Sequence, residues 1–330
     1  MIPNQWYAIL SEKELKRKKP IGVTRLGEKL VVWKNPDGTI GCLHDRCCHR
    51  GASLSHGTLS DDGHELRCPF HGFAYNSSGK VTAIPANGRS TPVPDRYRVQ
   101  AYPAVARYGM IWVWYGDQQD PLPDIPFFQD LRSGFSYGQF AETWPVHYTR
   151  AIENQLDVVH LPFVHANSIG RGGRTLVHGP VVTWQDNLMT FYVYNAVDDG
   201  QTKPLKPSEI EHYENLFSLQ MQMPNSWQNR ISDDVRIVAF FAPIDDQHTR
   251  IYLRFYQRFV RMPLFRQIVN SLSQIGNRTI LHQDRRVVTT QLPVKSELKM
   301  GENLIQGDAP IIEFRKRRAL LRGETNNGKA

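Results

Sequence analysis

Four residues of this sequence are well suited to holding a metal centre: Cys47, His49, Cys68 and His71. They stand in two short runs, Cys47-Cys48-His49-Arg50-Gly51-Ala52 and Cys68-Pro69-Phe70-His71-Gly72. The skeleton is Cys-x-His, then eighteen residues, then Cys-x-x-His. Two thiolates and two imidazoles fit a soft-to-borderline metal. One zinc ion accepts that set in a tetrahedron. A two-iron cluster accepts it too, with both Cys on one iron and both His on the other. A zinc finger keeps its cysteines together and its histidines together on a helix. Here each run supplies one of each, carries a Gly after its His and lies among hairpin signals, as two loops clasping a two-iron cluster require. Cys42-Leu43-His44 repeats the Cys-x-His spacing but lacks the Arg-Gly-Ala continuation. It reads as a strand-end cysteine and a surface histidine. His56 and His64 read as ordinary loop residues.

A second constellation lies downstream, in Glu153-Asn154-Gln155-Leu156-Asp157-Val158-Val159-His160-Leu161-Pro162-Phe163-Val164-His165. At about 100° per residue, Asn154, Asp157 and His160 fall within roughly 120° of one another on a helix. His165 is five residues past His160 and would leave that face of a straight helix. Pro162 gives the chain a reason to end or bend there, which lets both imidazoles converge. Two histidines alone would be a weak signal. The full string Asn-x-x-Asp-x-x-His-x-x-x-x-His is far more specific.

The elements that must position these groups change character along the chain. The first third reads as short strands and tight turns, with strands at Leu30–Trp33 and Met110–Tyr115 and turns at Asn35–Gly38 and Asn76–Gly79. The proline-rich run from Pro121 to Pro126 suits a linker. Residues near 146–165 read as helix. Several β-rich runs between about 176 and 259 fit an antiparallel sheet. Helical spacing returns from Pro263 to about Gln291. The expected class is α+β: an all-β domain over 1–120, then a domain over 121–330 with an antiparallel sheet flanked by helices. The tail after Gly323 reads as frayed.

Bulk composition narrows the function. With 40% hydrophobic and 22% charged residues in 330, the chain has enough apolar content for real cores and about two domains. No apolar run approaches the roughly 20 residues of a membrane span, and the opening residues lack signal-peptide features, so a soluble cytoplasmic protein is expected. The four cysteines all fall between positions 42 and 68, unlike a disulfide framework. The net charge of +8 is spread along the chain and accompanies no nucleic-acid motif, so nucleic acid is not an expected partner. The one dense basic cluster, Arg315, Lys316, Arg317 and Arg318, reads as a solvated helix end.

The first motif, with its Arg-Gly-Ala and Pro-x-His-Gly flanks, resembles the Rieske [2Fe–2S] family, in which Cys48 stands where proline is common. The second resembles the iron motif of the Rieske oxygenases, the ring-hydroxylating and demethylating enzymes. The resemblance runs in order over nearly the whole chain. Segments Pro145–Arg150 and Pro243–Gln247 are similar to a compact branch that includes saxitoxin-tailoring and pheophorbide-type oxygenases. The resemblance implies that Cys47, His49, Cys68 and His71 hold the cluster, and that His160, His165 and a late carboxylate hold Fe(II). Asp284 is the candidate for that carboxylate, with Glu297 and Glu153 as alternatives. It also implies that Asp157 bridges His160 to His71 of a neighbouring copy, most simply in a homotrimer. Electrons would come from a ferredoxin or flavin-dependent reductase, and O2 would hydroxylate or demethylate a small organic, cyclic substrate. The competing readings are a cis-dihydroxylating ring dioxygenase and a non-catalytic electron carrier or redox sensor. Tyr252, Arg254 and Tyr256 are candidate pocket residues, which core packing explains equally well.

Overall fold

The computed structural model describes residues 1–16, 18–88, 90–117 and 119–324. The chain divides into two compact units. One comprises Pro3–Ile125 with Ala242–Asp245, and the other comprises Met1–Ile2, Pro126–Phe241 and Asp246–Ala330. The tail expected to be frayed lies, past Glu324, outside the described residues.

Among the described residues, the first unit is built from ten short strands: β1 (Gln5–Ser11), β2 (Ile21–Arg25), β3 (Glu28–Lys34), β4 (Ile40–His44), β5 (Thr58–Leu59), β6 (Leu66–Arg67), β7 (Ala74–Tyr75), β8 (Val81–Ala83), β9 (Ala104–Arg107) and β10 (Met110–Tyr115). They form three small antiparallel sheets, in the orders β1-β10-β9, β2-β3-β4 and β5-β6-β7-β8. The predicted turns are present: Gly38 N–H donates to Asn35 O, and Gly79 N–H donates to Asn76 O. Val31, Trp33, Leu43, Leu66, Phe73 and Tyr75 share one core with Cys47 and Cys68. The two thiols therefore sit against packed side chains instead of water. Cys42 is fully buried in β4, and burial pushes its thiol up to about 12.

The second unit centres on a seven-stranded sheet. Its strands are β11 (Ser136–Trp144), β12 (Leu176–Gln185), β13 (Leu188–Ala196), β14 (Phe217–Gln222), β15 (Ser226–Ser232), β16 (Val235–Pro243) and β17 (Thr249–Gln257). The order is β11-β17-β16-β15-β14-β13-β12, a six-strand meander with β11 added at its far edge. Helices α1 (Tyr148–Leu156), α2 (Leu161–Val164), α3 (Pro263–Val288) and α4 (Ala309–Leu321) complete the unit. At 1.5 Å per residue α3 is roughly 39 Å long. Polar contacts tie it to the sheet: His282 Nε2 lies 2.9 Å from Glu142 Oε2, and Gln257 Nε2 lies 3.5 Å from Asn270 Oδ1.

Two expectations are corrected here. The single helix expected over 146–165 is broken at Asp157, which adopts an extended conformation as the C-cap of α1. Its carboxylate accepts the N–H of Val159 at 2.7 Å and of His160 at 3.2 Å. A short acidic side chain that satisfies backbone donors in this way stops one helix and starts the next. The basic cluster is no solvated helix end, because Arg315 and Arg318 are only 3% and 2% exposed. Arg315 grips Glu153 with two nitrogens, at 2.7 and 2.9 Å, and Glu302 with a third at 2.7 Å. Arg150 completes the group, 3.1 Å from Glu153 and 2.9 Å from Glu302. Two arginines and two glutamates neutralise one another and lock α4 to α1. Burial works against the Arg315 charge, and the two glutamates more than restore it. Arg318 lies 2.9 Å from Glu297, Lys316 pairs with Glu313, and the Arg317 guanidinium lies over Trp184.

Candidate active site

The two cluster-motif loops of the first unit share one backbone design. In one, Cys47 N–H donates to Ala52 O and Gly51 N–H donates back to Cys47 O. In the other, Cys68 N–H donates to Phe73 O and Gly72 N–H donates to Cys68 O. The closing glycines have φ of +77° and +71°, a region that disfavours side chains. Each loop buries its Cys and exposes its His. The His49 and His71 rings lie 4.7 Å apart, and His49 stacks on Phe73 at 4.8 Å. Tyr75 Oη lies 3.1 Å from Cys47 Sγ and accepts the Cys48 N–H at 3.1 Å. Burial, together with the neighbouring Cys47, raises the Cys68 thiol. His44, of the discounted Cys-x-His repeat, lies 3.8 Å from Glu28 instead. Arg46, Arg50 and Arg98 border a shallow groove beside the Cys47 loop.

In the second unit, His160 and His165 flank α2 while Asp284 comes from the last turns of α3. Their donor atoms lie within 4.8 Å of one another, the one such trio among the described residues. Asp284 Oδ1 lies 2.9 Å from His165 Nε2 and 3.5 Å from His160 Nε2, yet it is buried and accepts no hydrogen bond. A ring Nε2 that carries no proton presents a lone pair, not a hydrogen bond, to that oxygen. Lone pairs that converge without bonding one another suit a cation between them.

The outer atoms of the trio are held by neighbours. His165 Nδ1 lies 2.8 Å from Gln283 Oε1, which also accepts from Ser168 Oγ at 3.1 Å; a protonated Nδ1 donates to that carbonyl. This tautomer leaves Nε2 free to ligate. Gln155 Nε2 lies 3.5 Å from Asp284 Oδ2. His160 Nδ1 is buried without a hydrogen bond, and Asp157 Oδ2 lies 3.7 Å away. Burial alone would raise the Asp157 pKa, but the His160 ring and the amides of Val159 and His160 outweigh it and keep the carboxylate below its usual range. Two histidines and one carboxylate are the donor set of non-haem Fe(II) sites with open positions. The residues present therefore fit that ion. Glu153 and Glu297 are held in their arginine pairs and stand outside the trio.

A cavity of about 370 Å3 opens from the trio between the sheet and α3. Strand alternation selects its lining: Trp227, Asn229 and Ile231 from β15, Leu253 from β17, and Phe217 and Leu219 from β14. The candidates Tyr252, Arg254 and Tyr256 do not line it. They point to the other face of β17, where Arg254 lies 3.0 Å from Tyr256 Oη and 4.2 Å from the Tyr137 ring centre. Packing, the other explanation the sequence allowed, accounts for all three, which are buried. Sequence reasoning missed Gln155 and Gln283, whose short-range pattern does not differ from that of surface glutamines.

Two family models match the chain. The Rieske [2Fe-2S] domain matches residues 5–103, and the vanillate O-demethylase oxygenase C-terminal domain matches residues 144–323, over half of the chain. The chain belongs to the Rieske oxygenase family. A vanillate O-demethylase oxygenase subunit from a Pseudomonas species is 32% identical over 188 residues, 54% of this chain and 49% of that protein. The tert-butanol monooxygenase / tert-amyl alcohol desaturase oxygenase subunit of Aquincola tertiaricarbonis is 26% identical over 269 residues, 74% of this chain and 54% of that protein. The chain spans about half the length of these curated relatives, and less of some others. Among solved structures, Pseudomonas putida CBB5 NdmA has a TM-score of 0.78 at 23% identity over 97% of this chain and 90% of that one. Dicamba monooxygenase bound to 3,6-dichlorosalicylic acid has a TM-score of 0.75 at 18% identity over 98% of each chain. This Rieske oxygenase thus shares their fold: an all-β cluster domain and a domain built on a seven-stranded antiparallel sheet. Its family uses a [2Fe–2S] cluster and a mononuclear Fe(II). Among the described residues, no helix is long and apolar enough to cross a membrane.

Proposed function

We propose that this chain is the oxygenase component of a cytoplasmic, multi-component monooxygenase that hydroxylates or oxidatively demethylates a small organic substrate. The observation that carries this reading is the His160, His165 and Asp284 trio at the end of a mostly apolar cavity. A pure electron carrier has no use for that cavity. Residues 1–120 receive electrons and residues 121–330 bind substrate.

Cys47, His49, Cys68 and His71 would hold the cluster, and His160, His165 and Asp284 would hold Fe(II). When bound, the cluster supplies one-electron transfer and the iron supplies O2 activation. The chain's own residues do the rest. Gln283 keeps the His165 proton on Nδ1, and Asp157 offers its carboxylate to the His160 Nδ1 proton. The apolar lining excludes water around the bound substrate. On the surface, the exposed His49 and His71 give electrons a short way in. Arg46, Arg50 and Arg98 favour an acidic ferredoxin or reductase at that edge. Asp157 keeps part of its side chain accessible, which supports a bridge to His71 of a neighbouring copy in a trimeric ring.

The test is iron content followed by oxygen uptake. An oxygenase retains about three irons per chain, two in the cluster and one beyond it. Uptake should then rise on adding a substrate and form an equal amount of hydroxylated or demethylated product. Two irons per chain and no substrate-dependent uptake would identify a carrier instead.

A further inference from the structure

The outer face of α3 is apolar where a helix lying on a sheet ordinarily turns polar residues to water. Phe265, Ile268, Leu272 and Ile275 recur every three or four residues. At 100° per residue they fall within roughly 80° of one another. Asn270, Gln274, Asn277 and Leu281 form a second stripe, centred roughly 170° away. That second stripe is the seated one. Asn270 and Gln274 lie so close to Gly138 of β11 that an added Cβ would stand 2.5 Å from an atom of each, and Asn277 and Leu281 line the cavity. Phe259 and Met262 extend the apolar stripe through the residues just before the helix. All six of its side chains are between 47% and 66% exposed. Together they leave on the order of 500 Å2 of apolar surface in water, toward the top of the roughly 300–600 Å2 in a monomer's largest patch.

Charge says what would cover this face. From Gln247 to Gln283 the chain has no Asp or Glu. Four arginines, Arg258, Arg261, Arg266 and Arg278, stand on or just before the helix. Two acids approach from the sheet, and both are engaged: Asp234 pairs with Arg258 at 2.7 Å, and Glu142 lies 2.9 Å from His282. Arg278 lies over the Phe140 ring at 5.2 Å. A second copy presenting the same face would add arginines to arginines with no acid on the helix to meet them. An anionic lipid surface supplies both halves, acyl chains for the stripe and phosphates for the guanidinium groups. The stripe also lies away from the contact proposed at Asp157. Its last residue, Ile275, is nine residues before Asp284, roughly 14 Å along the helix from the metal end.

We propose that the N-terminal half of α3, with Phe259 and Met262 before it, docks this protein on an anionic membrane surface. The helix lies along the bilayer and does not cross it. Its apolar side chains sit among the outermost acyl carbons, and Arg261 and Arg266 meet the lipid phosphates. The inner face of the same helix walls the cavity, so docking holds that cavity about one helix diameter, roughly 10 Å, from the lipid. Molecules that dissolve in the bilayer are thereby concentrated beside it.

The test is flotation of the iron-loaded protein with vesicles of phosphatidylcholine, alone or mixed with phosphatidylglycerol, at low and at physiological salt. About tenfold more protein should float with the anionic vesicles at low salt, and salt should reduce that binding without abolishing it. Leu272→Ser combined with Ile275→Ser should lose most of the binding, while Leu272→Phe combined with Ile275→Phe should keep it. Arg261→Ser combined with Arg266→Ser should remove the preference for phosphatidylglycerol. Each variant is first shown to keep the Rieske spectrum and its iron. The proposal is overturned if the parent protein does not float with anionic vesicles, or if the serine pair at 272 and 275 floats as well as the parent. It is also overturned if light scattering shows that this serine pair halves the parent's assembly, because a second copy would then cover the face. No turnover is read, so failure here leaves the oxygenase reading untouched.

Discussion

The two metal-binding regions of this chain handle exposure in opposite ways. In the first unit, loops bury the thiols of Cys47 and Cys68 and leave His49 and His71 at the surface. In the second, helices place His165 and Asp284 inside, at 2% and 3% exposure, beside an apolar cavity. A centre that only passes electrons needs an edge close to its partner. A centre that binds substrate and O2 needs walls. The backbone follows the task. Tight turns closed by positive-φ glycines carry Cys47, His49, Cys68 and His71, while the long helix α3 carries Asp284 and buried charge pairs anchor α1.

The sharpest way to break this comparison is to remove one centre at a time. Cys68→Ser or His71→Ala should abolish the Rieske electron paramagnetic resonance signal. His160→Ala, His165→Ala or Asp284→Ala should remove the mononuclear iron and abolish turnover while that signal survives. If Asp284→Ala retains iron and turnover, the late ligand lies elsewhere.

Asp157→Asn tests whether the centres work as a pair across copies. Both should stay largely loaded, because Asp157 is not one of the trio. Reoxidation of the pre-reduced cluster, with substrate and O2 in a single turnover, should slow by about 10–100-fold. Normal reoxidation, or a fully active monomer, would remove the bridge.

A third change separates the anchors. Arg315→Met leaves Glu153 and Glu302 short of one buried partner, so the second unit should lose roughly 3–5 kcal/mol. Iron should leave in mild denaturant before the cluster spectrum changes. Simultaneous loss would show that the first unit depends on the same pairs.

The smallest effect concerns the outer centre. Cluster reduction by an acidic ferredoxin should slow a few-fold between low and physiological salt, and replacing Arg50 with Ser should flatten that dependence. A salt-independent rate in the parent protein would remove the steering role of the arginine edge.

What the sequence disclosed follows from the range of each interaction. The Cys and His runs and the Asn154–His165 string are local, so both stood out as candidate centres in short stretches of chain, and the family resemblance said what each would hold. Asp284 lies 119 residues past His165, and only a resemblance brought it forward. Strand alternation says that Tyr252 and Leu253 face opposite ways, but not which face meets a cavity. Arg315 and Arg318 looked solvated because their partners Glu153 and Glu297 are distant in sequence or sit in another element. The break at Asp157 was hidden because its side chain competes with the helix through backbone amides, which helical periodicity does not register.

Helix α3 carries Asn277 and Asp284 on one rigid rod, two turns apart. The same rod supplies both a cavity wall, through Asn277, Ile280 and Leu281, and the Asp284 carboxylate. Any slide or tilt of α3 would therefore carry wall and carboxylate together, so the space for a substrate and the place of the metal are set by one moving part.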